Sequence, residues 1–145
     1  MGNPSNLIIV EKIDNQEALK EAFDIRRTVF VEEQKVDERE EYDEFEDISV
    51  HFLAKSMGKP AGTARWRITP NGIKLERFAV LEEYRSEGVG SALLQSVLAD
   101  LPKDGKKIYL HAQLTAVGLY KKFNFMEIGD TFWEAGIEHY KMELK

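Results

Sequence analysis

Hydrophobic residues along this chain recur with spacings that alternate between strand and helix periods. Residues 7–10, with Ile13, are apolar and predict a first strand. Residues 16–33 carry apolar side chains at helical spacing, and Asn15 is placed to cap that helix. The polar stretch that follows, as far as Glu46, predicts a short helix or a loop.

Three strands are predicted in the middle of the chain. Apolar and polar side chains alternate over residues 49–56, and residues 61–69 return as the partner of a hairpin after a turn at 57–60. A second turn at 70–72 leads into a third strand at 73–80.

The C-terminal part alternates between helices and strands. Helical spacing covers residues 88–101 and 115–123. Strands are predicted at 107–112, at 125–132 and at 139–144.

This order of elements predicts the α/β (α+β) class, with a mixed central sheet and helices on both faces. A chain of 145 residues can build one domain with a sizeable core but is too short for two ordinary domains. Because no repeat or low-complexity linker divides it, the domain is predicted to span residues 1–145.

Composition excludes several kinds of chemistry. The chain has no cysteine, which removes disulfides, thiolate zinc sites and a cysteine nucleophile, and no histidine pair has the helical spacing of metal ligands. A net charge of −6 disfavours nucleic acid as a partner. No apolar run is long enough for a membrane, and residues 1–6 lack the features of a signal peptide, so a cytoplasmic location is predicted.

Much of the acidity lies in residues 32–33 and 37–47. Such a run is usually a solvated helix face or loop, which is the favoured interpretation. The alternative is an acidic mouth that attracts a cationic amine.

The segment between the predicted strand at 73–80 and the next helix has the pattern Arg85-x-x-Gly88-x-Gly90, and we name residues 85–91 the cradle. Glycine lacks the Cβ atom that would keep a ligand from the backbone. The amides from Gly88 onward would be unpaired donors at a helix N-terminus, and Arg85 could add a charge-assisted contact. This pattern predicts a pyrophosphate site.

Two other phosphate motifs fit less well. A Walker loop would continue as Gly-Lys-Ser/Thr, whereas Gly90 is followed by Ser91 and Ala92. A dinucleotide fingerprint would need a third glycine where Leu93 stands. A turn that uses glycine for its geometry alone is the remaining alternative.

The cradle resembles the Arg/Gln-x-x-Gly-x-Gly/Ala motif of the GNAT superfamily, the acyl-CoA-dependent N-acyltransferases. Residues 116–125 resemble its A-x-x-(F/L)-Y-x-K-x-G-F segment, with Asn124 in place of glycine, and asparagine also accepts a left-handed backbone. Residues 26–34 and 135–139 are similar to the R-x-x-V-F-V-x-E-Q and A-G-I-x-H elements of one GNAT subgroup. Together these matches span nearly the whole chain.

The resemblance implies a mostly antiparallel sheet that splays between the strands at 73–80 and 107–112. It implies transfer of an acetyl group from acetyl-CoA to a primary amine, carried by a small molecule or a peptide. Since there is no cysteine and no recognisable activated serine, direct transfer in a ternary complex is expected. The alternative function is that of a non-catalytic acyl-CoA sensor. No metal, nucleic acid or membrane is expected as a partner, and a homodimer is possible.

The resemblance also implies that the pantetheine arm pairs with the strand at 73–80, as an added peptide strand would. The residues expected to bind the coenzyme are Phe78, Ala79, Val80, Arg85, Ser86, Glu87, Gly88, Val89, Gly90, Ser91, Gln113 and Tyr120.

Tyr120 occupies the tyrosine of the GNAT segment, and we expect it to reprotonate the leaving thiolate, with a plain core tyrosine as the alternative. Glu76 is the expected base. By strand alternation it shares a face with Phe78 and Val80, and partial burial could raise its pKa. The alternative is an ion pair between Glu76 and a nearby arginine.

Arg65 and Arg67 flank Trp66 on a predicted strand, so both guanidiniums lie on one face. They could anchor a carboxylate or phosphate of the acceptor, or else pair with the acidic run. Glu33 competes as base or amine anchor. The residues expected to bind the acceptor are Arg26, Glu33, Arg65, Arg67 and His139.

Overall fold

A computed structural model describes residues 7–145; the segment 1–6, on which the cytoplasmic prediction rests, lies outside the described residues. In chain order the elements are β1 (Ile8–Lys12), α1 (Gln16–Arg26), a π-helical segment (Arg27–Glu33), α2 (Glu38–Glu41), a 3₁₀ turn (Glu46–Ile48), β2 (Val50–Ser56), β3 (Lys59–Thr69), β4 (Gly72–Val80), a 3₁₀ turn (Glu82–Tyr84), α3 (Val89–Asp100), β5 (Ile108–Gln113), a 3₁₀ turn (Leu114–Ala116), α4 (Val117–Lys121), β6 (Phe125–Glu134) and β7 (Ile137–Leu144).

Within residues 7–145, seven strands form one sheet in the order β1-β2-β3-β4-β5-β7-β6, and only the β4–β5 pair is parallel. Helices α1 and α3 cover opposite faces of this sheet. Leu53 of β2 packs in the cluster that contains α1, whereas its neighbours Phe52 and Ala54 pack in the larger cluster with α3. The predicted fold class is confirmed. Within residues 7–145, no helix has the length and apolar character needed to cross a membrane.

The predicted helix at 16–33 consists of two kinds of helix. The Asn15 side chain accepts a hydrogen bond from the Ala18 amide at 2.8 Å, which confirms the predicted cap. After α1 the chain widens into the π-helical segment, where the Gln34 amide bonds to the carbonyl of Val29, five residues earlier, at 3.0 Å. An apolar repeat cannot distinguish these helices because both keep Val29 and Phe30 on the buried side.

The predicted left-handed residue is present at the end of α4. Asn124 has φ +71° and directly precedes the buried Phe125, which begins β6. A short polar side chain tolerates this conformation, so the change from glycine is compatible with the turn.

The sheet opens between β4 and β5. These strands pair only from Ile73–Ile108 to Leu75–Leu110, although β4 continues to Val80 and β5 to Gln113. The expected splay is therefore present.

A β-bulge lies in β4 at the start of this opening. The register with β3 passes from Arg65 opposite Glu76 to Thr63 opposite Ala79, so two residues of β4 face a single residue of β3. The first of the two, Arg77, has φ +58°.

The bulge reverses the alternation of side chains along β4. Ile73 and Leu75 belong to the α3-side cluster, and after the extra residue Phe78 and Val80 pack against that same cluster. Glu76 therefore points to the other face of the sheet. The expectation that it shares a face with Phe78 and Val80 is wrong, because strict alternation holds only without a bulge.

The close contact of β3 with α3 gives a test of the packing. A Cβ atom at Gly62 would lie 2.8 Å from a methyl carbon of Val89 and 3.0 Å from the Ala79 carbonyl. We expect Gly62→Ala to lower the free energy of unfolding by about 1–3 kcal/mol, measured by urea denaturation. Gly118→Ala in α4 is the control: nothing lies within 4 Å of the added carbon, so the free energy should rise by about 0.4–1 kcal/mol. If Gly62→Ala and Gly118→Ala changed the free energy of unfolding equally, the close packing of Gly62 against α3 would be contradicted.

Candidate active site

A cavity of about 940 Å³ follows the opening in the sheet. Its lining includes the N-terminus of α3, residues of the 37–48 segment and residues of the turn between β6 and β7. The walls are formed by β4, β5 and α4. The cavity therefore joins the predicted phosphate site to both faces of the sheet.

The cradle presents backbone donors to this cavity. The first hydrogen bond of α3 runs from the Ala92 amide to the Gly88 carbonyl at 3.0 Å, so the amides of Val89, Gly90 and Ser91 have no acceptor within the helix. Gly88 has φ +92°, a conformation that an L side chain rarely adopts. This end of α3 also carries the positive end of the helix dipole, which suits an anion.

Arg85 is already paired at the cradle. Its guanidinium donates to both carboxylate oxygens of Glu33, at 2.6 and 2.7 Å, and to the Val80 carbonyl at 3.0 Å. The hydrogen bond from Arg85 lowers the pKa of Glu33. Glu33 does not line the cavity, so its placement as a counter-ion of Arg85 does not fit the expected role as base or amine anchor.

Tyr120 is buried on the wall of the cavity, between Phe78 and Phe125. Its ring meets these two rings edge-on, with centroids 5.8 and 6.0 Å apart. Burial raises the pKa of the phenol, so it is neutral and can donate a proton at pH 7. Within residues 7–145 its hydroxyl makes no side-chain hydrogen bond, which leaves it available to a ligand.

Glu76 also lines the cavity, but as a buried counter-ion. Its carboxylate accepts from Arg65 at 2.7 Å and from Arg67 at 2.9 Å, and the Lys74 ammonium is 3.2 Å away. Burial opposes ionisation, yet the hydrogen bond from Arg67 and the charges of Arg65 and Lys74 prevail and lower the pKa of Glu76 to about 2. The expected raised pKa is wrong, and such a carboxylate is a poor proton acceptor at neutral pH.

Arg26 and Arg65 pair with the acidic run. Arg26 binds Glu41 and Glu46, and Arg65 binds Asp43 and Glu46; we name these ion pairs, with the Arg65–Glu76 pair, the acid–arginine network. Both guanidiniums are 1% exposed and neither lines the cavity. Their N–H donors are used inside the protein, so neither arginine fits the expected role of acceptor anchor.

The network also corrects the interpretation of the acidic run as a solvated loop. Glu41, Asp43 and Glu46 are tied to buried arginines, and Glu41 and Asp43 form part of the cavity wall. Despite partial burial, hydrogen bonds and charge from Arg65 lower the pKa of Asp43 to about 2. Because these charges are paired, they do not form a free acidic mouth.

Arg67 lines the cavity and lies over the ring of Phe45, 3.8 Å from its centroid. His139 also lines it, with Nδ1 2.7 Å from the Ile137 carbonyl, in a buried position. Both keep the position expected for a contact with the acceptor.

The expected coenzyme residues are largely brought together. Ala79, which packs toward α1, and Glu87 do not line the cavity. Those that do are Phe78, Val80, Arg85, Ser86, Gly88, Val89, Gly90, Ser91, Gln113 and Tyr120. The Gln113 side chain exchanges hydrogen bonds of 2.9 and 3.3 Å with Gln34, at the end of the π-helical segment.

One pair in the cavity was not assigned from the sequence. His111 Nδ1 lies 3.2 Å from Glu134 Oε2, and both residues line the cavity. The sequence places His111 on the predicted strand at 107–112 without a role, and Glu134 carries no signal, because its position depends on how β6 pairs with β7. Among residues 7–145, no group of three or more potential ligands is arranged to hold a metal ion.

Comparison with known proteins shows similarity in sequence to a family and to individual proteins. Residues 11–145 match the family model described as the acetyltransferase (GNAT) domain. The uncharacterized N-acetyltransferase YjcF of Bacillus subtilis (strain 168) is 40% identical over 130 residues, which cover 88% of this chain and 93% of that protein.

Solved structures share the fold. Escherichia coli ElaA has a TM-score of 0.82 at 23% identity, covering 96% of this chain and 100% of that chain. Naa50 of Arabidopsis thaliana, in complex with the bisubstrate analogue CoA-Ac-MVNAL, has a TM-score of 0.71 at 22% identity, covering 95% and 98%.

The ion pairs of Glu76 predict a pH-dependent stability. Glu76→Gln leaves buried guanidiniums short of a partner, and we expect the free energy of unfolding at pH 7 to fall by about 3–5 kcal/mol in urea titrations. Because the pKa of Glu76 is lower in the folded protein than its ordinary 4.5, its ionised form stabilises the fold above that pH, and this contribution is lost as the pH falls toward 2. The difference in free energy of unfolding between the unmodified protein and Glu76→Gln should therefore narrow as the pH falls from 4.5 toward 2.

Asp24→Asn serves as the control, since Asp24 pairs with Lys20 at 2.9 Å on the exposed surface of α1. Its effect should be much smaller than that of Glu76→Gln, because solvent screens an exposed pair. A similarly small effect of Glu76→Gln at pH 7 would contradict the assignment of Glu76 as a buried counter-ion.

Proposed function

The chain belongs to the GNAT acetyltransferase family, and we propose that it transfers an acetyl group from acetyl-CoA directly to a primary amine. The amine, the thioester and the protein form a ternary complex. No acyl group passes through the protein, which has no cysteine to carry one. Residues 1–145 act as a single domain, and the reaction takes place in the cytoplasm.

One observation carries this proposal: a single cavity links the free amides of the cradle to the opening between β4 and β5, where Tyr120 is buried. A diphosphate at the α3 N-terminus would place the pantetheine arm along β4. There β4 no longer pairs with β5, so its backbone can bond to the amides of the arm. The thioester would then lie beside Tyr120.

In the reaction, the amine nitrogen attacks the thioester carbon, the C–S bond breaks and the amine loses a proton. Tyr120 donates its phenolic proton to the departing thiolate. The ring is fixed by the edge-on contacts with Phe78 and Phe125, so the hydroxyl is positioned before the thioester binds.

The acceptor is a small-molecule or peptide amine. The complex of Naa50 with an analogue that joins coenzyme A to a peptide supports the peptide as one class. Arg67 and His139 are retained as acceptor contacts because they line the cavity.

The cradle is tested by Gly88→Val. At φ +92° a β-branched residue is strained and places carbon atoms beside the free amides, so we expect the dissociation constant for coenzyme A to rise at least about tenfold in calorimetry. Gly105→Val is the matched control: it has φ +82°, nothing within 4 Å and no place in the cavity lining, so affinity should not change. Unchanged affinity of Gly88→Val for coenzyme A would overturn the assignment of the cradle as the diphosphate site.

The acid is tested by Tyr120→Phe, with free thiol measured over a panel of amines. We expect kcat to fall by about 10²–10⁴-fold while coenzyme A affinity changes little, since only a proton donor is removed. Tyr42→Phe is the control, because the Tyr42 hydroxyl donates to the Phe23 carbonyl at 3.1 Å outside the cavity lining, and it should keep kcat. If the unmodified protein binds coenzyme A but acetylates no amine, the acyl-CoA sensor is favoured instead.

A further inference from the structure

We propose that His111 is the general base that takes the proton from the attacking amine, and that Glu134 holds the imidazole in the orientation required. This assignment rests on the proposed acetyl transfer. Tyr120 protonates the thiolate, so a second residue must take the proton that the amine loses. The expected bases Glu76 and Glu33 are paired with arginines.

The last pair between β4 and β5 joins Leu75 to Leu110. His111 is the next residue of β5. Its neighbours Leu110 and Ala112 pack in the α3-side cluster, so His111 projects to the opposite face. Tyr120, in contrast, belongs to the α3-side cluster. The opening thus has a proton donor on one side of the sheet and a proton acceptor on the other, both on the wall of the same cavity.

The contact with Glu134 fixes which nitrogen of His111 can act. The hydrogen bond from His111 lowers the pKa of Glu134, so this carboxylate is ionised at neutral pH and can only accept. Nδ1 therefore carries the hydrogen that it donates over 3.2 Å. In the neutral ring Nε2 is then left with its lone pair, which is the group that a general base needs.

The ring is also held by aromatic packing. The Phe132 ring meets His111 edge-on with centroids 4.9 Å apart, and Tyr109 lies at 6.1 Å. His111 remains partly exposed, at 24% of its side chain, so an amine in the cavity can approach it.

His139 is the other histidine in the cavity, and its Nδ1 likewise has a partner, the Ile137 carbonyl. A carbonyl carries no full charge, whereas the Glu134 carboxylate stabilises the imidazolium that forms when the base takes a proton. His139 is also the more buried ring and is stacked on Phe132 at 5.8 Å. These differences favour His111.

The charged and titratable groups that face His111 come from four strands. Tyr109 is on its own strand, Lys74 lies on β4 opposite Tyr109 with Glu76 two residues further on, and Glu134 is on β6. On β7, Lys141 is directly opposite His111, and its ammonium lies 5.3 Å from the Tyr109 ring centroid, while His139 is opposite Gln113. Of these, Glu134 is the one that hydrogen-bonds to the imidazole.

The proton balance is complete with these two residues. As the new C–N bond forms, the amine proton moves to His111 Nε2, and as the C–S bond breaks, the Tyr120 proton moves to sulfur. The products are the acetylated amine and the free thiol of coenzyme A. Water then carries the proton from the imidazolium to the phenolate, which restores both residues and needs no other reactant.

The experiment measures kcat/KM against pH for the protein and its variants, with an amine that the unmodified protein acetylates. We expect His111→Gln to lower kcat/KM by about 10²–10⁴-fold and to remove the fall in rate at acidic pH that protonation of the base produces. Added imidazole should restore part of the rate of His111→Ala. Coenzyme A affinity should stay within about threefold, since His111 is not in the cradle.

Glu134 is a positioning residue, so its variant has a different expected result. Glu134→Gln should lower kcat/KM about tenfold, as expected for one charge-assisted hydrogen bond, with the loss in kcat and with KM unchanged. A purely structural role would lower the free energy of unfolding without confining the loss of activity to kcat. Glu127→Gln is the matched control on the same strand; Glu127 contacts Lys121 at 3.4 Å outside the cavity lining and should change neither quantity.

The outcomes separate the two proposals. If the unmodified protein acetylates amines and His111→Gln keeps its rate and its pH profile, the base assignment is overturned and the proposed function stands. If His139→Gln rather than His111→Gln removes the acidic limb, the base is His139. If the unmodified protein acetylates no amine, both proposals fail together.

Discussion

The extra residue at Arg77 is the constraint on which the arrangement of the cavity depends. A left-handed conformation costs a non-glycine residue about 1–2 kcal/mol, and the Arg77 side chain offsets part of this through contacts with the Glu41 carbonyl and the Asp43 carboxylate at 3.3 and 3.2 Å. The bulge bends β4 where its pairing with β5 ends. It also turns Phe78 toward Tyr120 while leaving Glu76 on the opposite face.

Carboxylates of the acid–arginine network form another part of the cavity wall. Buried ions are costly unless they are paired, and here Arg26 of α1 and Arg65 of β3 each meet two or more carboxylates. The carboxylates of the acidic run come from a segment with little regular structure. Pairing holds this segment against the sheet, so side chains remote in the chain form one rim of the cavity.

Sequence reasoning was most successful for the local backbone. The start of α3 could be predicted from the glycines at positions 88 and 90, because glycine accepts the left-handed conformation found at Gly88. Tyr120 was found through a resemblance, and its burial on the cavity wall agrees with the expected role. The prediction for Glu76 failed on two counts, because neither the bulge nor the three cations around its carboxylate can be read from alternation along one strand.

Local periodicity and turn residues were sufficient to define the strands, the helices and the class of fold, because each depends on neighbours within a few residues. The sequence also carried the acidic run and the isolated histidines, but not their partners. Arg26 with Glu41, Arg65 with Glu76 and His111 with Glu134 are joined by strand register and by helix packing over 11 to 23 residues of sequence. Only the tertiary structure decides whether such a charge is neutralised within the protein or remains available to a substrate, because that choice depends on distance and burial rather than on residue type.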